Sequence, residues 1–297
     1  MKAENKTAST QSDAEIAVVI PAYNEEDTIA ACIQALWNGI RKPARIIVAD
    51  GCSGDATAEV ARSEGAVVVH NSKHTAAAGR NIGAQHAETS IIAFTDADCL
   101  PSSGWLDAIA RRFETGCVDG LAGKIIPRIP RNRYEAYWNN LSWEVIMHFG
   151  DKPAPIAARD LSHSVITASC AWRSDVLDQL NGFDEWFGNN AEDVDLTWRA
   201  LDAGFVLAYE PNAVVEANGP LTAHEMRRKA FRNGVSSSKL QKRYGGIVSY
   251  DPSMYKMLVA NLMHKSRCAE PDLERQELIW HLLGKYFGSV RYGVVNV

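Results

Sequence analysis

Asp96 and Asp98 stand two residues apart, directly after the apolar run Ile91-Ile92-Ala93-Phe94-Thr95. On an extended segment alternate side chains share a side, so both carboxylates face one way at the C-terminal end of an expected buried strand. That edge is where ligands bind in open α/β sheets. Two acids so close repel each other unless a cation neutralises them. A Mg²⁺-type ion, which takes a few carboxylates plus phosphate oxygens, meets that need. Taken alone, the triplet equally suits a strand-to-turn junction in which an Asp caps the next helix.

The elements that would position these acids alternate through the first 125 residues. Ile16–Ile20 reads as a strand closed by Pro21. Asn24 or Asp27 would cap a helix carrying Ile29, Cys32, Ile33, Leu36 and Trp37 at helical spacing. Ile46–Ala49 is the second strand, and Asp55 or Thr57 opens a helix ending near Gly65. Val67–Val69 is the third strand, and a small-residue helix around Ala76–Ala87 leads to the fourth, Ile91–Thr95. Strand–helix alternation with unbroken apolar strands predicts an α/β fold with a mainly parallel sheet flanked by helices. The regularity breaks near Pro127. Tyr134, Tyr137, Trp138, Trp143 and Phe149 follow there, a spacing that suits local packing and would also suit stacking on a sugar. We expect a disordered leader at 1–14, a ligand-binding half at 15–125, a second half of the same domain at 126–220, and a helical C-terminal region at 221–297.

The 297 residues, 46% hydrophobic, suffice for a full core. A formal net charge of −5 provides no global basic field for nucleic acid, so an anionic ligand must be held by local cations, a metal or helix N-termini. Six scattered cysteines without a Cys-x-x-Cys pair support neither a disulfide framework nor a zinc site, which suits a reducing compartment. Without a spanning-length apolar run or a signal-peptide pattern, the expectation is a cytoplasmic protein.

Four segments converge on the edge that carries Asp96 and Asp98: Pro21-Ala22-Tyr23-Asn24-Glu25-Glu26, Asp50-Gly51-Cys52-Ser53-Gly54-Asp55, Gly79-Arg80-Asn81-Ile82-Gly83, and the acid pair itself. Singly, each has an ordinary structural explanation, such as a packed Tyr, a turn Asp or a surface ion pair. Together with Asn181-Gly182-Phe183-Asp184-Glu185 and Ala191-Glu192-Asp193-Val194-Asp195-Leu196, the chain from about 16 to 245 resembles the family 2 glycosyltransferases of the GT-A fold.

The resemblance implies transfer of a sugar from a nucleotide-diphosphate sugar to an acceptor hydroxyl, by an inverting displacement assisted by Mg²⁺ or Mn²⁺. It assigns Pro21, Tyr23, Glu25, Asp50, Arg80 and Asp96 to the donor, with Tyr23 against the nucleobase, Asp50 on the base edge or ribose, and Arg80 on the pyrophosphate. Asp98 would hold the metal and Asp193 would take the acceptor proton. Glu192, Trp172 and Asp184 fall on the acceptor side, where a glycan, a lipid-linked or a small-molecule acceptor would bind. Asp193 could instead be tied up as a cap of a helix at Leu196–Ala203.

Two departures stand out. Where the family often has a late His as a further metal or phosphate ligand, this chain offers Glu216 or Asn218, with His224 six residues on. Cys170 stands where many relatives have Asn. The processive signature Gln-x-x-Arg-Trp is absent, since Gln241-Lys242-Arg243-Tyr244 has the wrong spacing, which predicts one sugar per encounter. A sugar-nucleotide pyrophosphorylase would carry a glycine-rich loop after strand one, and Pro21–Asp27 has no glycine. A dinucleotide oxidoreductase would need Gly-x-Gly-x-x-Gly, also missing. A non-catalytic binding relative is the remaining alternative.

The tail presents a basic stretch (Arg227, Arg228, Lys229, Arg232, Lys239, Lys242, Arg243) and then an apolar one from Leu278. Leu278, Ile279, Leu282, Leu283, Tyr286, Phe287 and Val290 share a broad helical face. His281, Lys285 and Arg291 are too central for a spanning segment. Either the tail docks peripherally at the inner face of a membrane, or it packs back on the domain or against a second copy.

Overall fold

A strand covered by helices on both faces has no polar side to show, and the first strands are accordingly unbroken apolar runs. The computed structural model describes residues 15–146, 149–217, 219–245 and 270–294; the expected leader at 1–14 lies outside them. Strands β1 (Ile16–Ala22), β2 (Arg45–Asp50), β3 (Val67–His70) and β4 (Ile91–Phe94) are parallel in the order β3-β2-β1-β4. Helices α1 (Ile29–Trp37), α2 (Thr57–Ser63) and α3 (Ala76–Gln85) make the crossovers. Ile16, Val18 and Ile20 of β1 enter one buried cluster with α1, and Ala17 and Val19 enter another with α3. The two-residue period thus divides the core into a layer on each side of the sheet.

Pro21 does not close β1. It pairs in register with Ala49, and the strand runs on to Ala22. The Val19 carbonyl accepts from the Thr95 N–H on the β4 side. Pro21, two residues on, turns its missing donor to that same side, beyond the end of β4, where no ladder bond is lost. Neither Asn24 nor Asp27 caps α1: the N-cap is Thr28, and the Asn24 side chain accepts from the Gly54 N–H at 2.8 Å. Helix α3 is built of small residues because it rides directly on β1. A Cβ at Gly83 would come within 2.3 Å of Val19.

The second half adds β5 (Leu100–Pro101), α4 (Trp105–Glu114), β6 (Gly120–Pro127), α5 (Arg133–Ile146), β7 (Ala154–Ile156), β8 (Cys170–Arg173), α6 (Ser174–Gln179), α7 (Glu192–Asp202) and β9 (Leu207–Ala217). Strand β8 lies antiparallel between β4 and β6, while β9 is parallel to β6 and takes β5 and β7 antiparallel on its other edge. One mixed sheet therefore joins both halves, parallel in the first and mixed in the second.

Trp172, expected on the acceptor side, is a core residue. It is fully buried on β8, and a Cβ at Gly120 would fall 2.6 Å from its ring. Tyr137 and Trp138 likewise pack, with Met226 and Leu273, instead of forming an open platform.

The described part of the C-terminal region holds two helices, α8 (Ala223–Tyr244) and α9 (Pro271–Tyr292), while residues 246–269 and 295–297 lie outside the described residues. Thr222 caps α8, its hydroxyl accepting from the Glu225 N–H at 3.2 Å. Much of the basic stretch turns inward. Arg227 donates to Gln276, Lys239 to the carbonyls of Trp186 and Phe187, and Arg243 pairs with Asp184. No described helix is long and apolar enough to cross a membrane.

Candidate active site

At the C-terminal ends of β1 and β2, two loops are cross-linked backbone to side chain. The Asn24 N–H donates to Ser53 Oγ at 2.9 Å, the Glu25 N–H to Thr57 Oγ1 at 2.7 Å, and the Ala56 N–H to Glu26 Oε2 at 2.9 Å. Gly51 tucks under Tyr23, with the Gly51 N–H donating to the Ala22 carbonyl at 2.8 Å. Tyr23 is 57% exposed, one residue past Ala22, which pairs in register with the buried Asp50. Asp50 accepts from the Ser53 N–H at 3.3 Å. An exposed aromatic face beside an acceptor carboxylate can take a stacked base and a hydrogen-bonding edge.

Beyond β4, ligand atoms of Asp96, Asp98 and Cys99 lie within 4.8 Å of one another. Burial and then the neighbouring Asp96 push the Asp98 carboxyl up. Glu25 reaches the same region. Its carboxyl is pushed up to about 7, by burial first, against a lowering hydrogen bond from Thr28, and then by Asp98, Asp96 and Asp55. Three carboxylates thus gather at this edge, and each of Asp96 and Asp98 raises the Glu25 carboxyl further. The donor set fits a hard divalent ion such as Mg²⁺ or Mn²⁺. It offers carboxylate oxygens, while burial holds the Cys99 thiol protonated. Glu216 does not join the group; it sits in register with Leu100, 4.0 Å from Arg128. Asn218 lies outside the described residues, and His224 is exposed on α8.

Arg80 corrects an expectation. Its side chain is buried, donating to Asp96 Oδ1 at 2.8 Å and to Glu192 Oε1 at 2.6 Å, with the guanidinium 5.8 Å from the Phe183 ring centre. Both of its NH₂ nitrogens are engaged by carboxylates, so Arg80 positions acids from two distant elements and does not present a free cation to a diphosphate. Glu192, expected on the acceptor side, is buried with its Oε1 held by Arg80. Burial pushes its carboxyl upward, Arg80 opposes that, and Asp193 adds to it.

Helix α7 begins behind Ala191, which is held at φ 71° in the left-handed region. Such a strained, uncapped start puts Glu192 and Asp193 in consecutive directions on the first helical turn. Asp193 is in that turn, not capping a later one. Its Oδ1 does accept from the Val194 N–H at 2.8 Å, so the capping alternative is partly realised. Burial raises the Asp193 pKa, while Arg80 and the Val194 N–H hold it down. A carboxylate with raised affinity for a proton is a better general base near neutrality. Asp184, by contrast, accepts from the Trp186 N–H at 2.9 Å and pairs with Arg243. It anchors α8.

Two basic groups were missed as site residues. Lys229, read from sequence as part of a surface stretch, reaches in from α8. Its Nζ lies 4.8 Å from the Trp138 ring centre, and its charge acts on Asp98. Burial lowers its pKa, which Asp98 counteracts. Arg128, from the end of β6, donates to the Asp98 carbonyl at 3.1 Å. For Lys229 the sequence signal is the density of basic residues near 227–232, and nothing in the sequence marks Arg128. A separate polar concavity of about 760 Å³, lined by Asn81, Asp178 and Glu185 among others, contains none of the carboxylates of the pair.

Comparison with known proteins finds relatives over most of the chain. The chain is 31% identical over 243 residues to the pre-mycofactocin glycosyltransferase of Mycobacterium tuberculosis, covering 79% of this chain and 49% of that one. It is 26% identical over 232 residues to glycosyltransferase AglE of Haloferax volcanii, covering 74% and 71%. The chain thus spans about half the length of the first of these relatives. Among solved structures, mannosyltransferase PcManGT of Pyrobaculum calidifontis, in complex with GDP-Man and Mn²⁺, superposes with a TM-score of 0.57 at 17% identity, covering 95% and 78%. That likeness extends to the whole fold, which is GT-A. Residues 17–180 match the glycosyl transferase family 2 profile, and the chain belongs to that family.

Proposed function

We propose that this chain transfers one sugar per encounter from a nucleotide-diphosphate sugar to an acceptor hydroxyl, with inversion at the anomeric carbon. The observation that carries the reading is the Asp96–Asp98 pair linked through Arg80 to the start of α7, where Asp193 stands. One network thereby couples a metal-binding edge to a candidate base. Tyr23 and Asp50 would receive the nucleoside. Asp96, held by Arg80, and Asp98 would hold Mg²⁺ or Mn²⁺, which when bound supplies charge neutralisation for the diphosphate. The Mn²⁺ and GDP-Man bound to the Pyrobaculum mannosyltransferase support that assignment.

Lys229 would add positive charge as the leaving diphosphate gains negative charge. Arg80 and Glu192 would act one step back, fixing the direction of Asp96 and the first turn of α7. Asp193 would accept the proton of the attacking hydroxyl. An acceptor attacking opposite the leaving group inverts the configuration in a single displacement. A glycan, a lipid-linked or a small-molecule acceptor is compatible with this chemistry.

The test is a panel of nucleotide sugars assayed for binding and for donor turnover, with and without Mn²⁺. Metal-dependent turnover lost in Asp193→Asn, with an inverted product by NMR, is the expected result. Binding without turnover toward any acceptor class would favour a non-catalytic relative, and a retained anomeric configuration would exclude the single displacement.

A further inference from the structure

Helix α9 is turned the wrong way round for a water-soluble surface. Along its length Ile279, Leu282, Leu283, Tyr286, Phe287 and Val290 recur at spacings of three and four and share one face. That face is outward: all six are exposed, Tyr286 at 72% and Val290 at 69%. The opposite face, toward α8, carries Glu277, His281, Gly284, Lys285 and Gly288. Lys285 is buried there. The two helices run side by side in the same direction, close enough that a Cβ at Gly234 would meet the His281 carbonyl at 2.1 Å and one at Gly284 the Phe231 carbonyl at 2.1 Å. Ser238 Oγ donates to the Lys285 carbonyl at 3.2 Å. Small residues and hydroxyls at a helix–helix contact, with large apolar residues outside, are what an apolar surrounding medium selects.

Positive charge rims this face. Arg275 is exposed one turn before Ile279, and Arg291 is exposed beside Val290. On α8, Arg228 and Lys242 are exposed at seven-residue spacing either side of Val235, on the flank where Phe231 lies 5.8 Å from the Phe287 ring. Of the acids at the start of the helix, Glu270 and Asp272 pair with Arg133, and Glu277 shares the α8-facing side with His281 and Lys285. A contiguous apolar face of this size is normally covered. A second copy meeting it face to face would bring the two basic rims together, like charge on like.

We propose that α9 seats this face in the interfacial layer of an anionic bilayer, lying in the membrane plane with the basic rim at the head groups. The inference is independent of the transfer reaction. The docked segment anchors the chain without crossing, since no described helix meets the requirement for a span.

Flotation of the full chain with vesicles tests it, using phosphatidylcholine alone and an equimolar mixture of phosphatidylcholine and phosphatidylglycerol. The chain should float with the anionic vesicles at low salt. Leu283→Glu with Tyr286→Glu, both exposed positions, should cut the bound fraction at least about tenfold, with an unchanged circular dichroism melt. Arg228→Gln or Arg291→Gln should each weaken anionic binding about fivefold. A second measurement needs no charged core-facing variant: brominated phosphatidylcholine mixed with the anionic lipid should quench Trp280, a signal lost in Trp280→Phe. A wild-type chain that stays at the bottom with anionic vesicles overturns the proposal. A dimer by light scattering that the double variant dissociates would assign the face to a second copy. A lipid-free monomer whose α9 face is protected from solvent exchange would assign it to residues 246–269 of the same chain.

Discussion

Arg80 and Glu192, 112 residues apart in sequence, meet at 2.6 Å with side chains that are each only 4% exposed. Removing one partner of such a pair leaves the other charge buried and uncompensated. Arg80→Ala should therefore cost about 3–5 kcal/mol in urea unfolding. Arg80→Lys should recover part of that, because a single ammonium cannot span Asp96 and Glu192 together. An unchanged unfolding midpoint in Arg80→Ala would mean that the pair opens in solution.

Asp98→Asn should abolish Mn²⁺-dependent donor binding by calorimetry. It should also leave the metal-free protein at least as stable, because burial first, and then repulsion by Asp96, disfavour the charged Asp98 carboxylate. A lower metal-free melting temperature would assign Asp98 a structural part instead.

Asp193→Asn should keep donor affinity while transfer falls about 10²–10⁴-fold, the usual contribution of a general base. The Val194 N–H can still be accepted by the amide oxygen, so the helix start survives. Loss of donor affinity together with activity would point to a packing defect.

Lys229→Met should weaken nucleoside diphosphate binding about 10–100-fold, as for a lost charge-assisted bond. The free nucleoside should bind nearly unchanged. Equal losses for both ligands would place Lys229 in packing against Trp138 alone.

The α8–α9 contact should make stability depend on pH in two opposed limbs. His281 lies between Glu277 and Lys285 on its own helix, with Arg227 and Ser238 along the facing one. Burial pushes His281 down to about 4, so the folded chain binds fewer protons than the unfolded one, and stability falls as pH drops from 6.5 toward 4. Burial and Glu274 push Glu277 up to about 7, so stability falls as pH rises from 4.5 toward 7. Thermal midpoints across that range should show His281→Gln flattening the acidic limb and Glu277→Gln the neutral one.

The parallel half of the sheet was legible because its strands are continuous apolar runs, and their chemistry-bearing residues follow each run directly. What sequence hides is pairing across distance. Trp172 looked available until β8 returned antiparallel beside β4 and set it over Gly120. Arg80 looked like a free cation until α7 delivered Glu192. Asn24 had the right chemistry for a cap and spent it on Gly54, and Lys229 was one of seven basic residues, with nothing local to mark it as the one entering the cleft. Strands β5 and β7, two and three residues long, exist through their ladders with β9 and carry no period of their own.

The cross-links between residues 24–26 and 53–57 have a kinetic side. Two segments about thirty residues apart behave as one preformed seat, since their backbone donors are already satisfied by each other's side chains. A nucleoside arriving there has little chain to immobilise, so its association should follow a single exponential set by diffusion and charge. Any slower phase seen on binding belongs to parts of the protein outside that seat.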